Sequence, residues 1–146
     1  NRQDETAVLS QLDAWGVDVV FVCSFQHILR PEFFTHFQAC LNIHPSLLPS
    51  YRGPEPIAWG LLEGADSFGV TLHLVDEGID TGAIVCQAEV KRPFVPLMFL
   101  VEQKLAAALP PLIEKTVTQL ASGNLEIKPQ NGGFYRPAPT LANRRR

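Results

Sequence analysis

The apolar positions change period along the chain, and each change marks an element. Val8, Leu9, Leu12 and Trp15 recur at helical spacing and the pattern stops at Gly16, which predicts an amphipathic helix over 4–15. "VDVVFVCSF" (17–25) is a nearly continuous, β-branched apolar run, the mark of a strand buried on both faces. Pro31 suits a first helical turn, so "EFFTHFQ" after it predicts a short helix. "CLNIHP" (40–45) is a second buried strand, and the rhythm helix, strand, helix, strand predicts a parallel α/β sheet.

The period then shortens to two. "FGVTLHLV" (68–75) places Phe68, Val70, Leu72 and Leu74 on one face and Thr71 and His73 on the other. "GAIVCQAEV" (82–90) follows so closely that a hairpin is expected. Between the sheet halves, "PIAWGLLEG" reads as a short helix ending at Gly60 or Gly64. From Leu97 to Ala121 the spacing is helical again, with Pro110-Pro111 expected to kink or split the helix because each removes a backbone donor. The tail carries turn chemistry at Asn131-Gly132-Gly133 and little else, and no internal repeat or low-complexity tract occurs.

Composition narrows the class. At 146 residues the chain is at most one domain, and 46% hydrophobic content with a mean hydropathy of +0.06 reads as globular and soluble. No apolar run approaches the roughly 18–20 residues of a membrane span, and no signal-peptide pattern opens the chain. A net charge of −3 argues against general affinity for nucleic acid, and the arginines at 144–146 read as a solvated tail. Cys23, Cys40 and Cys86 each lie in apolar context, which predicts buried, reduced thiols and a cytoplasmic protein. Their spacing offers no metal site. The opening "NRQDET" lacks Met and enters a helix at once, which suits an excerpt of something longer.

Two stretches carry candidate chemistry. In "NIHPSLLPSYRG", Asn42 and His44 share one face of a strand that Pro45 terminates, which puts both at the carboxyl end of a parallel strand. Open α/β sheets bind ligands there, and an amide beside an imidazole can hold negative charge on a carbonyl oxygen. The plainer reading is that Asn42 caps a turn and His44 packs. In "DEGIDTG" (76–82), Asp76, Glu77 and Asp80 sit in a loop whose Gly78 and Gly82 allow positive φ and close backbone approach. A calcium loop requires different spacing and a Glu where Gln87 stands. A solvated acidic turn is the alternative.

Taken together, N-x-H-P-S-L-L-P, R-G and D-x-G-x-D-x-G, with "FQHILRPEF" and "FGVTLHLV", resemble the 10-formyltetrahydrofolate-dependent formyltransferase family over roughly residues 1–122. The resemblance implies a catalytic core over 1–122 and an irregular tail over 123–146. It implies a partial Rossmann-like α/β sheet, parallel strands plus an antiparallel pair, flanked by helices and ending in a long C-terminal helix. It implies Asn42, His44 and Asp80 as a catalytic trio. Asn42 and a protonated His44 would donate to the oxyanion, while Asp80 keeps the imidazole charged and moves protons. No metal is implied.

The co-substrate implied is 10-formyltetrahydrofolate, held by two loops. One is Gln26, His27, Ile28 and Leu29; the other runs from Glu77 through Gly78 and Ile79 to Gly82. Ile28 and Leu29 either press on the pterin or belong to the core, and His27 is expected at the loop surface. Arg52, with Gly53, either orients the acceptor or braces its loop. Leu48-Pro49 is where the family carries a cis peptide.

The family's opening β-α-β segment, with its glycine-rich turn, has no counterpart in this sequence. One edge of the 17–25 strand is therefore expected to lack a partner, leaving it to a longer enzyme, a second copy or another chain to cover. The acceptor is left open among glycinamide ribonucleotide, an amino-sugar nucleotide and methionyl-tRNA. "HPSLLPSYRG" resembles the first branch and "GPEPIAWGLLEG" the other two, while the acidic charge disfavours tRNA. Three functions are compatible: a formyl transferase, a formyltetrahydrofolate hydrolase, and a folate-binding or assembly module without turnover.

Overall fold

The computed structural model of the protein describes residues 2–25, 27–140 and 142–143, with backbone alone for 2–4. The expectations placed on Gln26 and on the arginines at 144–146 fall outside the described residues. In chain order the elements are α1 (Arg2–Ala14), β1 (Val19–Cys23), α2 (Pro31–Phe34), β2 (Ala39–His44), α3 (Pro56–Glu63), β3 (Ser67–Leu74), β4 (Ile84–Lys91) and α4 (Met98–Ala121). The strands form one sheet in the order β1-β2-β3-β4. β1 and β2 run parallel, with Cys23 beside Ile43. β3 returns antiparallel to β2, and β4 antiparallel to β3. This is the mixed α/β sheet expected, with the long helix at its end.

Strand parity decides what each face of the sheet does. Leu41, Leu72, Cys86 and the partly buried Ile43 and Leu74 face α4, where Leu109, Leu112, Ile113 and Leu120 cover them. Further along the same face, Phe68 and Val70 pack with Ile57 of α3 and with Val101 and Leu105. The opposite face is apolar only beside β1, where Cys40, Val20 and Val22 meet Phe33, Phe37, Leu9, Leu12 and Leu29. Burial there pushes the Cys40 thiol up to about 11. Beyond that patch the same face is lined by Asn42, His44, Thr71, His73 and Gln87, so the sheet carries a polar surface on one side of a dry core.

Several local expectations are corrected. β1 is half-buried, with Cys23 exposed, because it is an edge strand and its outer side meets no strand among the described residues. Of the apolar positions expected on that helix face, Leu9 and Leu12 meet the core, while Val8 is exposed and Trp15, just past the end of α1, is 69% exposed. The helix after Pro31 stops at Phe34, where the Thr35 hydroxyl donates to the Pro31 carbonyl (2.7 Å). Phe37 still reaches the core beside Phe33, ring to ring at 5.4 Å. Finally, α4 runs unbroken through Pro110 and Pro111. Both rings are exposed, as are Ala106 and Ala107 whose carbonyls lose their donors, so water can take those bonds. α3 ends at Gly64, whose left-handed conformation lets its N–H close back on Gly60 and Leu61.

Candidate active site

The polar face is assembled by register. β2 projects Asn42 and His44, and the antiparallel pairing sets His73 opposite Asn42 and Thr71 opposite His44. Thr71 is fully buried and accepts from Leu48 N–H (3.2 Å) and Gln87 Nε2 (2.8 Å) while donating to Ser46 O (2.6 Å). These bonds fasten the loop after β2 behind His44, and the Leu48–Pro49 peptide within that loop is cis.

The β3–β4 connection supplies the third group. Asp76 Oδ1 accepts from Gly78 N–H (3.1 Å) and the Thr81 hydroxyl (2.7 Å), which curls the loop back over the sheet. The glycines do not take positive φ as expected. Asp80 does, at +55°, while Gly82 serves close approach: a Cβ there would lie 1.8 Å from Leu74 O.

The result is one bonded cluster. Asn42 Nδ2 donates to Asp80 Oδ1 (3.1 Å) and also lies 3.2 Å from His73 Nε2. His73 Nδ1 donates to Leu74 O (2.8 Å), leaving Nε2 as the acceptor for the amide of Asn42. His44 Nε2 donates to Tyr51 O (2.9 Å) and its Nδ1 faces Asp80 Oδ1 at 3.5 Å. The other carboxylate oxygen, Asp80 Oδ2, accepts from Gly53 N–H (2.8 Å).

Burial sets the charge states. It pulls the His44 pKa below its ordinary value, outweighing the attraction of Asp80 and the bond to Tyr51 O. Burial thus works against the protonated form expected for His44, while its two ring nitrogens face the acceptors Tyr51 O and Asp80 Oδ1. For Asp80, burial pushes upward, but the two imidazoles beside it, His73 and His44, and the Gly53 N–H outweigh it, so the carboxyl pKa falls below the usual range and the group is ionised.

The structure brings Asn42, His44 and Asp80 together and adds His73, a residue that strand alternation puts on this face but that no motif marks as part of the site. His27, Ile28 and Leu29 follow β1 and so open at the same end of the sheet as His44. Ile28 is 75% exposed, His27 is exposed, and Leu29 is half-buried against the α1–α2 cluster. Glu77, Gly78 and Ile79 form the exposed tip of the loop that carries Asp80.

Gly53 gives its N–H to Asp80, and Arg52 gives Nε (3.1 Å) and Nη2 (2.7 Å) to Gln130 Oε1. Gln130 is the second contributor missed. It comes from an irregular tail, where no periodicity flags a residue. Among the described residues no group of three His, Cys, Asp or Glu side chains could hold a metal, and no helix is long and apolar enough to cross a membrane.

An amide, an imidazole and an ionised carboxylate at the carboxyl end of a parallel strand suit acyl-group chemistry at a carbonyl. A profile of the formyl transferase family matches residues 1–92. The chain belongs to the formyl transferase family. A methionyl-tRNA formyltransferase of Synechococcus sp. (strain JA-3-3Ab) is 39% identical over 137 residues, covering 92% of this chain and 42% of its own. Another from Thermodesulfovibrio yellowstonii is 40% identical over 125 residues, 85% of this chain and 41% of its own. This family member thus spans less than half the length of such curated relatives.

Among solved structures, the formyltransferase PseJ from Anoxybacillus kamchatkensis, in complex with UDP-4,6-dideoxy-4-formamido-L-AltNAc and tetrahydrofolate, superposes with a TM-score of 0.74. It is 30% identical, over 84% of this chain and 65% of that one. HypX from Aquifex aeolicus superposes at 0.87 over 96% of this chain and 25% of its own, but at 17% identity that likeness shows the fold alone.

Proposed function

We propose that this chain carries the catalytic site for transfer of a formyl group from 10-formyltetrahydrofolate to a primary amine. The observation that carries the reading is the Asn42–His44–Asp80 cluster, in which Asn42 donates to an ionised carboxylate and the His44 ring lies beside it, in a chain of the formyl transferase family. Among acceptors, the amino group of methionyl-tRNA is favoured, because relatives about 40% identical carry that activity in their names.

The chemistry follows from the groups present. The amine nitrogen attacks the formyl carbon, a C–N bond forms, and the carbonyl oxygen gains negative charge. Asn42 Nδ2–H and His44 Nε2–H donate to that oxygen, each worth on the order of 10²–10³ in rate. A neutral imidazole can fill this role, as its N–H is a donor without carrying charge.

Asp80 accepts the proton released by the amine and returns it to the folate nitrogen as the C–N bond to folate breaks. Such general acid–base help is typically about 10²–10⁴. In the resting cluster both donors are engaged, Asn42 with Asp80 and His73 and His44 with Tyr51 O, so the developing oxyanion must outcompete neutral or shared acceptors. His73 holds the amide of Asn42 in the donating orientation. Ile28 and Ile79, both exposed, offer apolar surface to the pterin, with His27, Leu29, Glu77 and Gly78 shaping the loops around it. Arg52 and Gly53 brace Asp80 and leave the acceptor to other contacts.

The test is incubation with 10-formyltetrahydrofolate and, separately, methionyl-tRNA, glycinamide ribonucleotide or an amino-sugar nucleotide, with product detected by mass. Formylated methionyl-tRNA that disappears in Asp80→Asn supports the reading. Formate released without any acceptor identifies a hydrolase instead. Folate binding with neither product identifies a module without turnover.

A further inference from the structure

Gln130 lies outside every helix and strand, yet all its hydrogen-bonding capacity is spent around Asp80. Its Nε2 donates to the main-chain carbonyls of Asp80 (3.0 Å) and Gly82 (2.7 Å), and its Oε1 accepts Nε and Nη2 of Arg52. An amide has two N–H donors and an oxygen with two lone pairs, so all four are used. The two carbonyls flank Thr81, so one side chain pins the turn on which Asp80 sits. Arg52 precedes Gly53, whose N–H holds the Asp80 carboxylate. Gln130 therefore grips Asp80 from its backbone side and steadies the residue that grips its carboxylate.

Three further observations give the grip a purpose. Asp80 occupies the left-handed region at φ +55°, a conformation that a non-glycine residue keeps only where its surroundings impose it. The tail around Gln130 is held in register on both sides. Lys128 and Ile84 exchange both main-chain bonds at 2.8 Å, and Arg136 N–H donates to Arg52 O at 2.7 Å. The seating is also close: a Cβ on Gly53 would lie 2.5 Å from Arg136 O, and one on Gly133 would lie 2.4 Å from Pro49 O.

We infer that Gln130 is a positioning residue for Asp80, through which the irregular tail sets the geometry of the proton-transferring carboxylate. The catalytic meaning rests on the formyl-transfer reading above; the geometric claim does not. Two substitutions in the full 146-residue chain separate the parts. Gln130→Glu keeps the length of the side chain and an acceptor for Arg52 but removes both donors to Asp80 and Gly82. Gln130→Ala removes everything.

The ligand-free readouts are the Gly53 amide resonance, its hydrogen exchange, and the carboxyl titration of Asp80 followed by carbon NMR. Exchange of β2 and β3 amides monitors the fold. His44 and His73 are the titratable groups that face Asp80 and remain in both variants; Gln130→Glu adds a carboxylate near them, so the Asp80 titration is read in Gln130→Ala and Gln130→Glu is judged by the Gly53 amide.

In both variants the Gly53 amide is expected to lose its downfield shift and at least tenfold of its protection. In Gln130→Ala the Asp80 titration is expected to rise toward its ordinary value, with the sheet amides unchanged in both variants. Retention of the wild-type Gly53 signal in Gln130→Glu overturns the proposal, because bracing Arg52 would then be the whole role. Loss of the folded state in both variants also overturns it.

With 10-formyltetrahydrofolate and whichever acceptor the wild type uses, kcat should fall about 10²-fold with KM for folate little changed. A wild type that neither binds nor turns over folate sinks the formyl-transfer reading, and the NMR result stands apart from it.

Discussion

At the scale of single residues, the site reconciles burial with charge by tying Asn42, His73 and Asp80 into one hydrogen-bonded cluster with the His44 ring beside it. His44 is 4% exposed and His73 2%, yet every ring nitrogen of the two faces an acceptor or donor from the cluster or the backbone. The strained φ of Asp80, costing on the order of 1–3 kcal/mol, is tolerated because its carboxylate and carbonyl are both held.

The two shifted groups make stability depend on acid. The folded pKa of His44 lies below its ordinary 6.5, so the unfolded chain binds a proton that the folded chain refuses. That contribution is complete above about pH 6.5 and is lost as pH falls toward the folded pKa. Asp80 adds a second contribution, present above its ordinary 3.8 and lost as pH falls through its lower folded value. Urea midpoints should therefore begin to drop below about pH 6.5, and His44→Gln should delay the drop to the carboxylate range. Parallel pH curves for the two proteins would show that His44 is not the source.

At the scale of elements, α4 is where propensity and structure disagree most. A helix interior disfavours proline by about 3 kcal/mol relative to alanine, yet two adjacent prolines sit inside this one. The helix persists because Leu109, Leu112 and Ile113 on either side of them pack on the sheet, while the proline rings themselves are exposed. Pro110→Ala should thus stabilise the protein, by up to about 3 kcal/mol, read as a higher urea midpoint at unchanged m. A lower midpoint would mean that the proline shapes the helix to fit the sheet.

The same balance explains what was legible. Long segments with strong periodicity, β2, β3, β4 and α4, announced themselves, because burial follows period directly. Short or marginal ones did not. α2 reads as two turns of helix but yields after one, and the apolar run of β1 gives no sign that half its burial is missing. Val8 and Trp15 matched helical spacing and still face outward, since spacing defines a stripe without saying what lies opposite it.

At the scale of the whole molecule, the site is closed by parts remote in sequence, which is why only half of it could be read in advance. Asn42 and His44 were legible from strand parity and a terminating proline. Asp80 emerged only from a family pattern. His73 required the antiparallel register of β3 on β2, and Gln130 required the return of a tail that carries no period.

That tail does more than decorate a core ending at 122. Trp59 of α3 donates its indole N–H to Pro137 O (2.8 Å), and Arg136 lies between the rings of Trp59 and Phe134 while pairing with Glu63. Together with the Lys128–Ile84 pair and the four bonds of Gln130, the segment from 128 to 137 ties α3, the Arg52 loop, the Asp80 loop and β4 into one body. Each such hydrogen bond contributes about 0.5–1.5 kcal/mol net. A chain ending at Ser122 should consequently lose several kcal/mol in urea titration.

Fluorescence offers an independent view, because only two tryptophans are present and Trp15 is already exposed. Removal of the tail uncovers Trp59, so the emission should shift to the red while the helical circular dichroism of α4 is retained. Unchanged emission and an unchanged midpoint in the shortened chain would place the folding unit at 1–122 and reduce the tail to an appendage. The expected loss of both would make residues 123–140 part of the catalytic body, with the position of Asp80 depending on the whole of it.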